Sequence, residues 1–209
     1  MIGRIIETET CVAEGAAYLA ALEPRFQAAL LVTGPLPLRR KPDGFSALLD
    51  AIVGQQVSVA AARAIWMRVQ EAGLDDPQRV LRASEDDMRA CGLSRPKMRY
   101  AKALAQANIR YEDLRSEPDQ VVIDTLVAVP GIGPWTAEIY AMFSLGRADV
   151  FAPGDLALQE SARILFNLPE RPTQKQLREM SEQWSPWRGV AARLLWSYYR
   201  VAKARDGIA

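Results

Sequence analysis

The feature of this sequence that most constrains its fold is the spacing of its apolar residues, which is helical throughout. Phe45, Leu48, Leu49 and Ile52, for example, fall on one face of a helix predicted to run from Phe45 to Gln55. No segment alternates apolar and polar residues at period two, as a half-buried strand would. Only residues 148–152 have the composition of an extended segment. We therefore predict an all-α fold.

Capping residues and helix breakers mark where the predicted helices begin and end. Ser84 is followed three residues later by Asp87, and Thr173 by Gln176, which is the pattern of a capping box. Residues 33–44 are rich in proline and glycine and are predicted to connect two helical subdomains.

The composition excludes several kinds of catalytic site. The chain has no histidine, so nucleophiles paired with histidine, histidine zinc motifs and imidazole bases are unavailable. Its two cysteines, Cys11 and Cys91, are too few for a four-thiolate iron–sulfur cluster or a thiolate zinc site. The formal net charge of +1 is far from that of a protein that coats nucleic acid. Any contact with nucleic acid must therefore come from a local surface or from main-chain amides.

The sequence shows no sign of a membrane span or a leader. No apolar run approaches the roughly 20 residues that a membrane-spanning helix needs. The first ten residues lack the apolar region of a secretory signal. The expected location is the cytoplasm.

Residues 126–138, Leu-Val-Ala-Val-Pro-Gly-Ile-Gly-Pro-Trp-Thr-Ala-Glu, form the most specific motif. Its two glycines are predicted to let the chain turn between two helices without a Cβ clash. The amides of Gly131 and Gly133 then lie bare at the N-terminus of a helix predicted over 134–145, where the helix dipole favours a phosphate. Such a site holds DNA backbone without reading base sequence. The alternative is an ordinary αα-hairpin whose glycines serve only the turn.

A candidate catalytic carboxylate follows the hairpin. The loop over 149–155, Asp-Val-Phe-Ala-Pro-Gly-Asp, ends on Asp155, where another helix is predicted to begin. A helix N-terminus stabilises the negative charge of a carboxylate, which suits a group that must itself stabilise positive charge. The alternative is that Asp155 only caps its helix.

The order of these elements resembles a known superfamily. A hairpin, a helix and a Gly/Pro-rich loop closing on Asp resemble the helix-hairpin-helix, Gly/Pro-Asp (HhH-GPD) superfamily of DNA glycosylases, with Pro153-Gly-Asp155 as the matching element. Three stretches resemble the alkylbase glycosylases of the bacterial 3-methyladenine DNA glycosylase II type: Ile52–Val59, residues 149–153 and Trp184–Arg188. The resemblance covers about residues 45–200, and the N-terminal β-domain of the larger members has no counterpart in it.

The resemblance implies which residues form the active site. Asp155 is the expected catalytic carboxylate, since Glu138 and Asp149 do not stand at the loop–helix junction that the family pattern requires. Trp135 and Trp196 are expected to line the base pocket as electron-rich walls, with plain core packing as the alternative for each.

The resemblance also implies which residues hold DNA. Gln56 is the expected wedge that enters the space left by the flipped base, although a capping or buried amide is the alternative. The other expected DNA contacts come from the hairpin: Gly131, Ile132, Gly133 and Thr136. The carbonyls of Val127, Val129 and Ile132 are expected to hold a structural Na⁺ or K⁺, and no other cofactor is expected to be required.

The implied activity is hydrolysis of the N-glycosidic bond of alkylated bases in duplex DNA, of the 3-methyladenine and 7-methylguanine type, in base excision repair. Trp135 stands where bifunctional members carry a nucleophilic lysine, so the expected enzyme is monofunctional. The cysteine count argues against a lyase of the iron–sulfur type. The main rival is a non-enzymatic helix-hairpin-helix DNA-binding module, which would have no use for Asp155.

We predict two helical subdomains that flank a DNA-binding cleft. Residues 46–150 are expected to form the one that bears the hairpin, and residues 1–45 with 151–209 the other. A monomer associated with the nucleoid is expected. Several basic residues could contact phosphates, although most charged residues are simply solvated: Arg39, Arg40, Lys41, Arg95, Lys97 and Arg188.

Overall fold

A computed structural model describes residues 2–205 of the chain. Regular structure in this part of the chain is helical: α1 Glu9–Leu22, α2 Pro24–Thr33, α3 Phe45–Val53, α4 Val59–Glu71, α5 Pro77–Arg82, α6 Glu85–Ala90, α7 Arg95–Gln106, α8 Tyr111–Leu114, α9 Asp119–Val127, α10 Pro134–Phe143, α11 Leu156–Leu165, α12 Gln174–Glu182 and α13 Arg188–Arg205. The only β-pairing among the described residues is an isolated antiparallel bridge between Ile5 and Arg147. The predicted all-α fold is confirmed.

The capping residues identified in the sequence start the helices as predicted. Both capping boxes are present, with Ser84 and Asp87 at the start of α6 and Thr173 and Gln176 at the start of α12. Between residues 2 and 205, no helix has the length and apolar character needed to cross a membrane.

The chain divides into two units. One, the hairpin unit, comprises Lys41–Tyr140, and the other, the aspartate unit, comprises the described residues up to Arg40 and from Ala141 onward. These boundaries differ from the sequence-based ones, which fell before residue 46 and after residue 150.

Hydrogen bonds explain both differences in the boundaries. At the first boundary, Asp43 pairs with Arg115, and the Gly44 amide donates to the Tyr140 hydroxyl at 2.8 Å, so both residues belong to the hairpin unit. At the second, the Ala148 amide donates to the Arg4 carbonyl at 3.0 Å, which places the start of the 149–155 loop in the aspartate unit.

The hairpin unit is organised around α7. This helix packs against α3, α5 and α6. Its buried residues Met98, Ala101 and Leu104 provide the apolar face that these neighbours cover. The expected α3, Phe45–Gln55, ends two residues early at Val53, because residues 54–56 form a turn rather than a last helical turn.

The aspartate unit is organised around α13, which packs against α1, α2 and α11. Its core holds a cluster of rings in which Trp184 contacts Phe26, Phe151 and Phe166 at centroid distances of 5.3, 5.5 and 5.9 Å. The hydroxyl of Ser161, on α11, donates to the Leu195 carbonyl on α13 at 2.7 Å. This contact fixes the position of α11 along α13, and with it the position of the residue that begins α11.

Candidate active site and DNA-binding hairpin

Asp155 is the N-cap of α11. Its Oδ1 accepts hydrogen bonds from the amides of Ala157 and Leu158 at 2.9 and 3.0 Å, so two of the amide groups left open by the first helical turn are satisfied. The predicted capping role is therefore real. It does not exclude a catalytic role, because the positive end of the helix dipole stabilises the same carboxylate in either case.

Trp196 brings a third donor to the same oxygen. Its indole Nε1 donates to Oδ1 of Asp155 at 3.2 Å, although the two residues are 41 positions apart in the sequence. A residue that only caps a helix needs no such partner. The bond sets the orientation of the carboxylate relative to the indole ring, and it uses only the ring edge of this half-buried side chain.

The buried guanidinium of Arg193 lies against Phe143, which in turn packs beside Trp196. Phe143 lies beside Trp196, with ring centroids 5.7 Å apart, and the guanidinium carbon of Arg193 lies 4.7 Å from the Phe143 centroid. Arg193 also donates to the carbonyls of Gly189, at 2.7 Å, and Leu38, at 3.2 Å. Burial, together with the neighbouring charges of Arg39 and Arg40, lowers the pKa of Arg193 to about 10. Phe143 thus packs against Trp196 and is itself backed by Arg193.

The two other candidate carboxylates have different surroundings. Asp149 accepts two hydrogen bonds from the guanidinium of Arg188, at 2.8 and 2.9 Å, and one from the hydroxyl of Ser185 at 2.8 Å. These bonds join two of the stretches that carried the family resemblance and hold the loop that ends on Asp155. Glu138 is only 2% exposed. Asp149 is held in its pair with Arg188, Glu138 is buried, and neither is the N-cap of a helix as Asp155 is.

The hairpin lies between α9 and α10, and its two glycines have different structural roles. Gly131 adopts a φ of +95°, and a Cβ there would lie 2.4 Å from Cγ of Tyr100, so glycine is required for the turn. Gly133 is different. A Cβ at Gly133 would meet nothing within 4 Å, and its φ lies outside the left-handed region. The expectation that both glycines avoid a clash is wrong for Gly133, whose missing side chain leaves the surface open.

The other hairpin residues divide between core and surface. Ile132 and Thr136 are only 4% and 6% exposed, so any DNA contact they make goes through their main-chain groups. Trp135 is 46% exposed in the first turn of α10. Packing within the protein, the alternative role for this tryptophan, therefore covers little more than half of its surface.

The hairpin carbonyls suit a monovalent cation by their chemistry. Val127 ends α9, while Val129 and Ile132 stand in the turn before α10, where carbonyls lack intrahelical donors. The carbonyl of Val129 accepts from the Ile132 amide at 3.0 Å, which leaves it one further lone pair. Among the described residues, no group of acidic, cysteine or histidine side chains could hold a metal ion. Main-chain oxygen is thus the donor type that the hairpin itself offers.

Gln56 lies in the exposed turn between α3 and α4 with a φ of +56°. Left-handed backbone is uncommon for residues other than glycine and points to a functional or local constraint. The buried-amide alternative for Gln56 is wrong, because the residue is exposed.

Two of the basic residues proposed as phosphate contacts are occupied within the protein. Lys97 is 9% exposed, and its Nζ donates to the Val53 carbonyl at 2.7 Å. Burial lowers the pKa of Lys97. Lys97 is therefore a support for α3 and not a phosphate contact, and that expectation is corrected. Arg188 is held in its pair with Asp149, while Arg39, Arg40, Lys41 and Arg95 are exposed.

Comparison with known proteins agrees with this arrangement of a hairpin followed by Asp155. The family model of the HhH-GPD superfamily of base excision DNA repair proteins matches residues 49–186, a span that includes the hairpin and Asp155. The chain belongs to this superfamily. The resemblance drawn from the sequence is therefore confirmed.

Individual relatives are similar over most of the chain. DNA-3-methyladenine glycosylase 1 of Schizosaccharomyces pombe is 29% identical, covering 94% of this chain and 91% of the relative. DNA-3-methyladenine glycosylase 2 of Escherichia coli is 32% identical over 74% of this chain and 57% of the relative.

Solved structures show the same fold. A DNA-3-methyladenine glycosidase of Bacillus halodurans matches with a TM-score of 0.82 and 31% identity, covering 98% of this chain and 95% of that one. The S. pombe enzyme in complex with abasic DNA matches with a TM-score of 0.76 and 29% identity, covering 88% of this chain and 95% of that one.

Several residues that shape the site were missed by the sequence analysis. Phe143, Tyr100 and Gln55 each contact a predicted site residue that is distant in sequence, and Arg193 supports Phe143. Only Arg193 could have been singled out from the sequence. It is an arginine within the apolar run Val190–Leu195, and a charge buried in such a run must find partners. The other three have ordinary sequence contexts.

Proposed function

We propose that Asp155 is the catalytic carboxylate with which this protein removes alkylated bases from duplex DNA. The protein is a DNA glycosylase of the 3-methyladenine type and acts in base excision repair. The observation that supports the role of Asp155 is its hydrogen bond from Trp196, a partner that helix capping does not require. A non-enzymatic DNA-binding module, the main rival, offers no account of this pair.

The chemistry of the reaction matches the groups that the site supplies. Cleavage of the N-glycosidic bond builds positive charge on the sugar, and the negative charge of the Asp155 carboxylate stabilises it. A water molecule attacks the anomeric carbon and passes a proton to the Asp155 carboxylate, which then releases it to solvent, while the base leaves with the electron pair of the broken bond. Bases alkylated at N3 or N7 carry positive charge and leave as neutral molecules. They need little help from a general acid, which suits a chain without histidine.

The ring of Trp196 offers a wall for the flipped base. Because its N–H is directed to Asp155 and its side is supported by Phe143, the indole plane is fixed relative to the carboxylate. A cationic base is attracted to the electron-rich face of an indole. A base that stacks there has its glycosidic bond held near Asp155. Specificity for alkylated bases then follows from their charge.

The hairpin would hold the DNA backbone. The surface at Gly133 is open, and the amides there stand at the positive end of α10. We assign a phosphate to this position, with Na⁺ or K⁺ on the carbonyls of Val127, Val129 and Ile132. The cation would add positive charge beside the phosphate.

The product follows from the residues of α10. Its second residue is Trp135, and no lysine occurs from Pro134 to Phe143. The nucleophile is therefore water, and the DNA leaves with an intact abasic site. We place the protein in the cytoplasm, at the nucleoid, where its substrate is found.

One incubation tests the proposed function. Methylated duplex DNA is mixed with the protein, and the released bases are identified by mass spectrometry. Release of 3-methyladenine or 7-methylguanine is expected, with strands left unbroken. Tight binding to methylated DNA without release of any base would favour the non-enzymatic module.

A further inference from the structure

The turn that carries Gln56 is joined to the DNA-binding hairpin by one side-chain hydrogen bond. Nε2 of Gln55 donates to the carbonyl of Gly131 at 2.9 Å, across 76 positions of sequence. This carbonyl is not among the three assigned to the cation, so both interactions can exist together. The bond links the proposed wedge to the turn whose amides face the phosphate.

Helix α7 supports both turns from the same side. The ammonium of Lys97 donates to the carbonyl of Val53, the last residue of α3 before the turn. Three residues further along α7, the ring of Tyr100 occupies the space beside Gly131. Three contacts within the hairpin unit thus connect three elements in pairs. Lys97 joins α7 to the end of α3, Tyr100 joins α7 to the hairpin, and Gln55 joins the turn after α3 to the hairpin.

The backbone of Gln56 needs such support. Its φ of +56° lies in the left-handed region, which is unfavourable for a residue other than glycine. A strained conformation persists only where the surroundings impose it. The neighbouring Gln55 is half-buried and bonded, whereas Gln56 is exposed. The adjacent bond therefore holds the strained residue in its exposed position.

We propose that Gln55 is a positioning residue for base flipping. Its hydrogen bond to Gly131 fixes the position of Gln56 relative to the hairpin. When the hairpin binds a phosphate, this position sets how deeply the side chain of Gln56, the proposed wedge, enters the base stack. Gln55 then matters for expelling a base from a paired stack and not for holding undamaged DNA. The inference rests on the proposed role of Gln56 as the wedge.

A double-mutant cycle tests the proposal. Gln55→Met keeps the length of the side chain and removes the donor, and Gln56→Ala removes the wedge. Single-turnover excision is measured for one alkylated base in two duplexes, where it faces either its normal partner or an abasic site. Flipping is costly in the first duplex and cheap in the second. Gln120→Met, which removes an exposed amide bonded to Asp124 in the same unit, is the matched control.

We expect Gln55→Met to slow excision about tenfold in the paired duplex, as the loss of one hydrogen bond suggests, and less than about twofold in the unpaired one. Its affinity for undamaged duplex is expected to stay unchanged. In the Gln56→Ala background, Gln55→Met is expected to cost nothing further. Gln55→Glu, whose carboxylate cannot donate at neutral pH, should behave like Gln55→Met and replaces it if that variant does not fold.

Three results would overturn the proposal: equal losses in both duplexes, additive losses in the double variant, or a Gln55→Met enzyme as fast as the control. A different result would contradict the assignment of Gln56 as the wedge. If Gln56→Ala excises the paired base at the normal rate, the assignment of Gln56 fails before Gln55 is considered.

Discussion

The indole nitrogen of Trp196 donates a hydrogen bond to Oδ1 of Asp155 at 3.2 Å. That oxygen also accepts the amides of Ala157 and Leu158, so the end of α11 and a side chain of α13 converge on one carboxylate. The same atoms therefore serve helix stability and the proposed chemistry. Substitutions of Asp155 and Trp196 separate these contributions.

Asp155→Asn is expected to lower the rate of base excision at least about 100-fold, because the amide brings no negative charge to the sugar. The free energy of unfolding should change by less than about 0.5 kcal/mol, because Asn caps helices about as well as Asp. Single-turnover kinetics and chemical denaturation measure the two effects. Asp76→Asn, at the N-cap of α5, is the matched control and should leave excision unchanged. Near-normal turnover by Asp155→Asn would remove Asp155 from the mechanism.

Trp196→Phe keeps an aromatic wall and removes the N–H donor. We expect excision to slow about tenfold, as the loss of one hydrogen bond to a charged group suggests, while the affinity for abasic DNA stays the same. Trp66→Phe, a change of the same kind on α4 in the hairpin unit, should leave both the excision rate and this affinity unaffected. If Trp196→Phe is as fast as the unaltered protein, the bond to Asp155 has no part in catalysis.

Gly133→Ala is expected to leave thermal unfolding unchanged, because the added methyl group enters open space. Its affinity for duplex DNA should fall about tenfold in every sequence context, as expected for the loss of one phosphate hydrogen bond, and the salt dependence should flatten by about one phosphate. Gly131→Ala should instead destabilise the fold by about 1–3 kcal/mol, because it combines a left-handed φ with a clash against Tyr100. Loss of binding confined to one sequence would contradict a backbone anchor.

Borohydride added during turnover is expected to trap no covalent adduct between protein and DNA, and strands should break only after alkali. Trp135 has no amine with which to form a Schiff base. Lys97 is buried and donates to a main-chain carbonyl, so it is not a substitute nucleophile. An efficiently trapped adduct would overturn the monofunctional assignment, and Lys102→Ala would then show whether the half-exposed amine on α7 is responsible.

What could be predicted from the sequence was local. The capping boxes at Ser84 and Thr173 depend on residues three positions apart and were read correctly, as was the hairpin turn at Gly131. Asp155 could be proposed because the loop before it has a recognisable composition. Recognition of the family then supplied Trp196 as a candidate, but not its bond to Asp155.

What could not be predicted depends on contacts between distant residues. Lys97 looks like one of several basic residues on a solvated helix, and only the packing of α3 against α7 shows that it is buried. Nothing in the sequence indicated the left-handed backbone of Gln56, because glutamine, unlike glycine or asparagine, has no particular preference for that region. The bond from Gln55 to Gly131 joins two motifs, and neither motif alone implies the other.

The capping role of Asp155 has a consequence inside a cell. Because an asparagine at this position would still begin α11, a cell that carried the variant would hold a stable protein at normal levels. With its hairpin intact but its proposed catalytic carboxylate gone, that protein would still bind alkylated sites in DNA and would not release the base. Other repair enzymes would be kept from those lesions. Under alkylation stress, such a cell should fare worse than one that lacks the gene entirely.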